Sequence, residues 1–73
     1  MSEETKTRIA TIEAPYRRAI WLDDVRFESG MRLLRVTIKE GHRFTQLDLD
    51  AATARNWGQA MLDWARVAEG RAE

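Results

Sequence analysis

The stretch Gly30–Asp50 constrains this chain more than any other, because it holds two alternating apolar/polar runs divided by Gly41-His42. Alternation on both sides of a short glycine-bearing break is the pattern of a β-hairpin. A two-residue turn at Gly41-His42 sets Glu40 opposite Arg43, Ile38 opposite Thr45, Val36 opposite Leu47 and Leu34 opposite Leu49. Those pairs share one face, since side chains alternate along a strand. The reverse face pairs Thr37 with Gln46 and the opposite charges Arg35 and Asp48. The hairpin therefore has an apolar side and a mixed side.

Tyr16–Glu28 reads as a further strand, turning at Ser29-Gly30. A two-residue loop there sets Phe27 opposite Arg32 and Val25 opposite Leu34, with Val25 and Phe27 in the core. Strict alternation would then bury Asp23, which is costly for a carboxylate without a partner. The apolar positions Ile20, Leu22, Val25 and Phe27 contain a step of three, which is how a β-bulge at Asp23-Asp24 would read. An acid/base or metal role for that pair lacks any nearby histidine or third carboxylate. Upstream, Arg8–Ala14 reads as an extended edge segment, because Pro15 steers Ala14 away from helical angles.

Asp50 is placed to cap a helix. A carboxylate there accepts hydrogen bonds from the first free N–H groups and suits the positive end of the helix dipole. Ala54, Trp57, Met61, Trp64 and Ala68 then recur at steps of three and four, and Gly70 is a natural stop. Gly58 inside this helix implies close approach to the sheet, because it otherwise costs about 1 kcal/mol relative to alanine. Neither element can bury its apolar side alone. Trp57, Met61 and Trp64 are thus expected to cover Leu34, Val36, Ile38, Leu47 and Leu49. The predicted fold is α+β: a three- to four-stranded antiparallel meander with one C-terminal amphipathic helix packed on one face. Residues 1–7 are expected to form a disordered tail, 8–70 a single domain and 71–73 a frayed end.

A 73-residue chain buries only about 60% of its unfolded surface. Small cores are commonly reinforced by disulfides, metals or self-association. With no cysteine and a single histidine, His42, in a turn, self-association is the support that is left, and a homodimer is expected. No nucleophile–base–orienter set, glycine-rich phosphate loop, zinc spacing or calcium loop is present, so neither catalysis nor a cofactor is expected. The first 15 residues lack an apolar block fit for a signal peptide or a membrane span, which leads to a cytoplasmic expectation. Twelve basic and twelve acidic residues balance overall, arguing against a strong nonspecific grip on nucleic acid. Tyr16–Gln46 holds seven basic residues against four acidic ones, while Leu47 onward is mildly acidic.

The sheet face away from the helix is expected to carry Trp21, Arg26, Leu33, Arg35, Thr37, Lys39, Phe44, Gln46 and Asp48. Its interaction candidates are Trp21, Arg26, Leu33, Arg35, Lys39 and Phe44. Trp21, Leu33 and Phe44 could form the apolar centre of a dimer or protein-partner interface rimmed by charge. Aromatics among arginines and lysines could instead stack bases and hold phosphates of a single nucleic-acid strand. A third possibility is partial cover by the chain's own N-terminal segment. The element order over Ile20–Ala68, with Leu47-Asp48-Leu49-Asp50 entering a helix that bears Trp57, resembles the positive cofactor four family of transcriptional coactivators. That resemblance implies a small dimer binding single-stranded DNA on a curved sheet. Trp57 comes later than in the family pattern, and the lysine- and glycine-rich lead into the last strand is absent.

Overall fold

The computed structural model describes residues 4–70. The chain forms an α+β fold in the order β1 (Glu4–Ala14), β2 (Arg18–Phe27), β3 (Arg32–Glu40), β4 (Arg43–Leu49) and α1 (Ala51–Gly70). The four strands make one antiparallel sheet in sequence order. Of the disordered tail expected at 1–7, residues 1–3 lie outside the described residues, as does the frayed end expected at 71–73.

The β3–β4 hairpin has the expected register, from Glu40 opposite Arg43 to Leu34 opposite Leu49. Gly41 takes a φ of +61° in its turn, a conformation glycine adopts without the penalty other residues meet. The β2–β3 turn differs from expectation by one residue. Phe27 donates its N–H to the Met31 carbonyl at 2.9 Å, and Gly30 donates to the Phe27 carbonyl at 2.8 Å. Glu28, Ser29 and Gly30 thus form a three-residue loop, with Gly30 at a φ of +100° completing a turn of this length. Val25 faces Leu33, and Arg26 faces Arg32.

That single residue exchanges the faces of the end of β2 that holds Val25 and Phe27, while Ile20 and Leu22 keep the helix side expected of them. Ile20, Leu22 and Asp24 join Ile38, Val36 and Leu34 on the helix side. Val25 and Phe27, expected in the core beneath the helix, lie on the reverse side with Asp23. Pairing of β2 with β3 is continuous, so no bulge interrupts Asp23-Asp24. The irregularity is in β1, between Arg8 and Ala10, where Ile9 is the extra residue.

The expected tail is strand from Glu4 onward, because Glu4–Thr7 pairs with Asp24–Phe27. Its turn into β2 holds Tyr16 and Arg17 at φ of 66° and 64°, left-handed angles that are costly for residues with a Cβ.

The helix begins as expected. Thr53 donates its N–H to Asp50 Oδ1 at 2.8 Å, and Ala54 donates to the Asp50 carbonyl at 2.9 Å. It lies over one face of the sheet, but only through its first half. Ala54, Trp57, Gly58 and Met61 border an apolar cleft against Leu34, Val36, Ile38 and Leu49. Trp64, expected to cover the sheet, is 73% exposed, and Leu62 and Val67 are 62% and 63% exposed. The helix has 20 residues, about 30 Å in length, and none of the cleft lining comes from beyond Met61. The radius of gyration is accordingly 14.8 Å, against about 11 Å for a compact chain of this length.

Gly58 does not mark close approach, since nothing lies within 4 Å of the position its Cβ would occupy. Gly58→Ala should therefore raise stability by about 1 kcal/mol, read as an increase in the urea midpoint at unchanged slope.

Candidate functional site

The sheet face turned away from α1 brings together five of the six sequence-predicted interaction residues. Trp21, Leu33, Arg35, Lys39 and Phe44 all project there by strand alternation. Arg26 does not. With the one-residue change in the β2–β3 turn it sits on the helix side, where its Nε donates to Asp24 Oδ2 at 3.1 Å. Trp21 and Phe44 meet across β3 with ring centroids 5.9 Å apart and planes at 40°, within the range of tilted aromatic pairs.

This face also has a small buried layer of its own. Val25 is fully buried, and Asp23 and Thr37 are each 2% exposed, although no helix covers them. Longer side chains cover this ground instead. The Arg8 guanidinium lies 4.9 Å from the Trp21 ring centroid, a cation–π distance, and its Nε donates to Asp23 Oδ1 at 2.6 Å. Gln46 Nε2 donates to the Thr37 hydroxyl at 3.3 Å. Asp23 thus obtains the partner that a buried carboxylate requires. It comes from Arg8 in β1, and the N-terminal strand provides part of the cover for this face.

The cations here are matched. Lys6, Arg8, Arg35 and Lys39 share the face with Glu4, Glu13, Asp23 and Asp48. Arg35 donates Nε and Nη2 to the two Asp48 carboxylate oxygens at 2.9 and 3.1 Å and lies 3.8 Å from Glu4. This two-pronged contact holds the Asp48 carboxyl below its ordinary pKa and raises that of Arg35. On the helix side, the hydrogen bond from Arg32 leads the causes that lower the Asp24 carboxyl, with Arg26 assisting. Asp50 is lowered by the hydrogen bonds it accepts from the Thr53 hydroxyl and backbone N–H.

The helix side is different in kind. Ile20, Leu22, Leu34, Val36, Ile38 and Leu49 form an apolar floor closed at its ends by charged pairs. Arg18 meets Glu40 at 2.6 Å at one end, and Arg32 meets Asp24 at 3.3 Å at the other. Between floor and helix lies the apolar cleft, about 280 Å³ in volume. Ile12 and Leu47, at the margins of this floor, are 45% and 37% exposed, Trp57 is 37% exposed and Met61 56%. Among the described residues no group of three histidine, cysteine, aspartate or glutamate side chains could hold a metal ion. No helix among them is long and apolar enough to cross a membrane. The arrangement offers adhesion through apolar area and a cation–aromatic layer.

Residues 3–67 match the model of a family described as "Family of unknown function (DUF6967)". The chain belongs to that family. The DUF6967 match takes in all four strands and the helix as far as Val67, so both sheet faces lie within it. Neither a curated protein nor a solved structure matches the chain.

Sequence reasoning missed Arg8 and Glu4 as members of the open face. The available signal was the alternation Glu4, Lys6, Arg8 against Thr5 and Thr7, which reads as a strand once a pairing partner is known. Arg8→Ala should cost about 2 kcal/mol, less than a wholly buried pair because Arg8 is 43% exposed; urea unfolding in a double-mutant cycle with Asp23→Asn measures the coupling. Asp24, Asp48 and Asp50 have carboxyls lowered by folding. Their contribution to stability is complete above the ordinary carboxylate range and is lost as pH falls through the lowered values. Thermal melts should therefore show a decline setting in below about pH 4.

Proposed function

We propose that the chain is a non-enzymatic, self-associating interaction module that works as a homodimer. The observation that carries this reading is the half-covered apolar side of the sheet, beside a helix whose second half exposes Leu62, Trp64 and Val67. The chain exposes 6057 Å². A compact monomer of 8.5 kDa exposes about 4,700 Å². The surplus exceeds the roughly 800 Å² that each partner contributes to a standard interface. Part of that exposed surface is apolar, with Met61, Leu62, Trp64 and Val67 all more than half exposed on the helix, and clustered exposed apolar side chains are the usual mark of an interaction surface.

The helix side carries this reading better than the open face does. On the open face Trp21 and Leu33 are half-buried and only Phe44, at 55%, is a largely exposed aromatic. Single-stranded nucleic acid on that face ranks behind self-association, because its four cations are offset by four carboxylates and phosphate binding draws on unmatched positive charge. In sedimentation equilibrium the chain should run at twice 8.5 kDa. Its melting temperature should rise with protein concentration, as mass action requires. A single species of 8.5 kDa at high micromolar concentration, with a melting temperature independent of concentration, would overturn the proposal.

A further inference from the structure

Four strands spaced at about 4.8 Å make a floor about 19 Å wide, and a helix covers about 10 Å of it. The apolar side therefore has room for two helices and receives half of one from its own chain. The helix lies toward β3, and Ile12 in β1, 45% exposed, marks the uncovered margin on the far side of the cleft. The unused half of α1 carries apolar residues on two flanks. At 100° per residue Leu62 lies on the side opposite Trp64, with Val67 next to Trp64. A helix apolar over so wide an arc is built to be covered by more than one body, and its own strands do not reach it.

We infer that the occupant of the uncovered strip is the second half of α1 from another copy of this chain, docked reciprocally beside α1. This inference deepens the self-association reading and rests on it. The strip and the projecting half-helix belong to one chain yet are separated on it, because one continuous helix carries both Trp57 over the floor and Trp64 beyond it. A twofold rotation joins them twice over, each copy lending what the other lacks. Trp64 of one copy then meets Ile12, Trp57 and Met61 of the other. The surplus of exposed surface is large enough for such an exchange.

The chain contains no cysteine, so single-cysteine variants report proximity without interference. Ile12→Cys and Trp64→Cys, mixed and mildly oxidised, should give the mixed disulfide between the two variants as the main cross-linked product, identified by mass spectrometry. Lys39→Cys, on the open face, should give little of it with Trp64→Cys. In the otherwise unaltered chain, Trp64→Glu should halve the sedimenting mass while leaving the helical circular dichroism in place. If Trp64→Glu unfolds the helix, Val67→Glu, at another exposed site, carries the same expectation. A native dimer that survives both substitutions, or in which Lys39→Cys traps Trp64→Cys as well as Ile12→Cys does, would overturn this docking and leave self-association standing. A native chain that sediments only as monomer would remove both. A heavier mass appearing only with added protein or amphiphile would assign the strip to that other occupant and overturn the reciprocal docking.

Discussion

A strand that shifts its pairing by one residue sends all its side chains to the opposite face, and the turn between β2 and β3 makes that choice here. Glu28-Ser29-Gly30 fits three residues where two would also close a hairpin. The three-residue form places Ile20 and Leu22 beside Val36 and Ile38, and it turns Asp23 and Val25 away from the helix. An apolar floor with charged ends follows from that register, and so does the separate buried layer on the reverse side. With the other turn length a carboxylate would lie in the floor, and a bulge would be needed to remove it.

The reverse side shows how a small sheet can protect itself without a second layer of secondary structure. Val25, Asp23 and Thr37 are buried on a face from which helices are absent. Arginine suits this role because its guanidinium can stack on an aromatic ring and bond a carboxylate at once. Arg8 does both, over Trp21 and to Asp23. The Ile9 irregularity in β1 adjoins Arg8, and a bulge is a common means of re-aiming a side chain. The same pairing consumes positive charge, which leaves the face electrically balanced and poorly suited to gripping phosphates.

The helix side is unbalanced in the other sense. One helix is attached to a floor wide enough for two, and half of that helix extends past the floor. The apolar surface left over is the physical basis of the proposed association. The two halves of α1 differ in surroundings although they share one amphipathic pattern. Trp57 borders the cleft, while Trp64, seven residues on and on nearly the same side, has no strand beneath it.

The alternating runs around Gly41-His42 determined the β3–β4 register, and Asp50 with the three-four spacing after it determined the start and the apolar stripe of the helix. These are local matters, settled by turn geometry, capping and periodicity within a few residues. Five of the six candidate residues on the open face were legible for the same reason, since they follow from alternation along strands already identified. Arg26 was not, because its face depends on a turn length that Ser29-Gly30 leaves ambiguous. Pairing of Glu4–Thr7 with β2, the bulge at Ile9, the Arg8–Asp23 contact and the extent of the helix over the sheet were decided only by the tertiary structure. Each depends on where two segments distant in sequence come to rest against each other, and an apolar stripe specifies that it needs cover without specifying how much of it the chain's own sheet can reach.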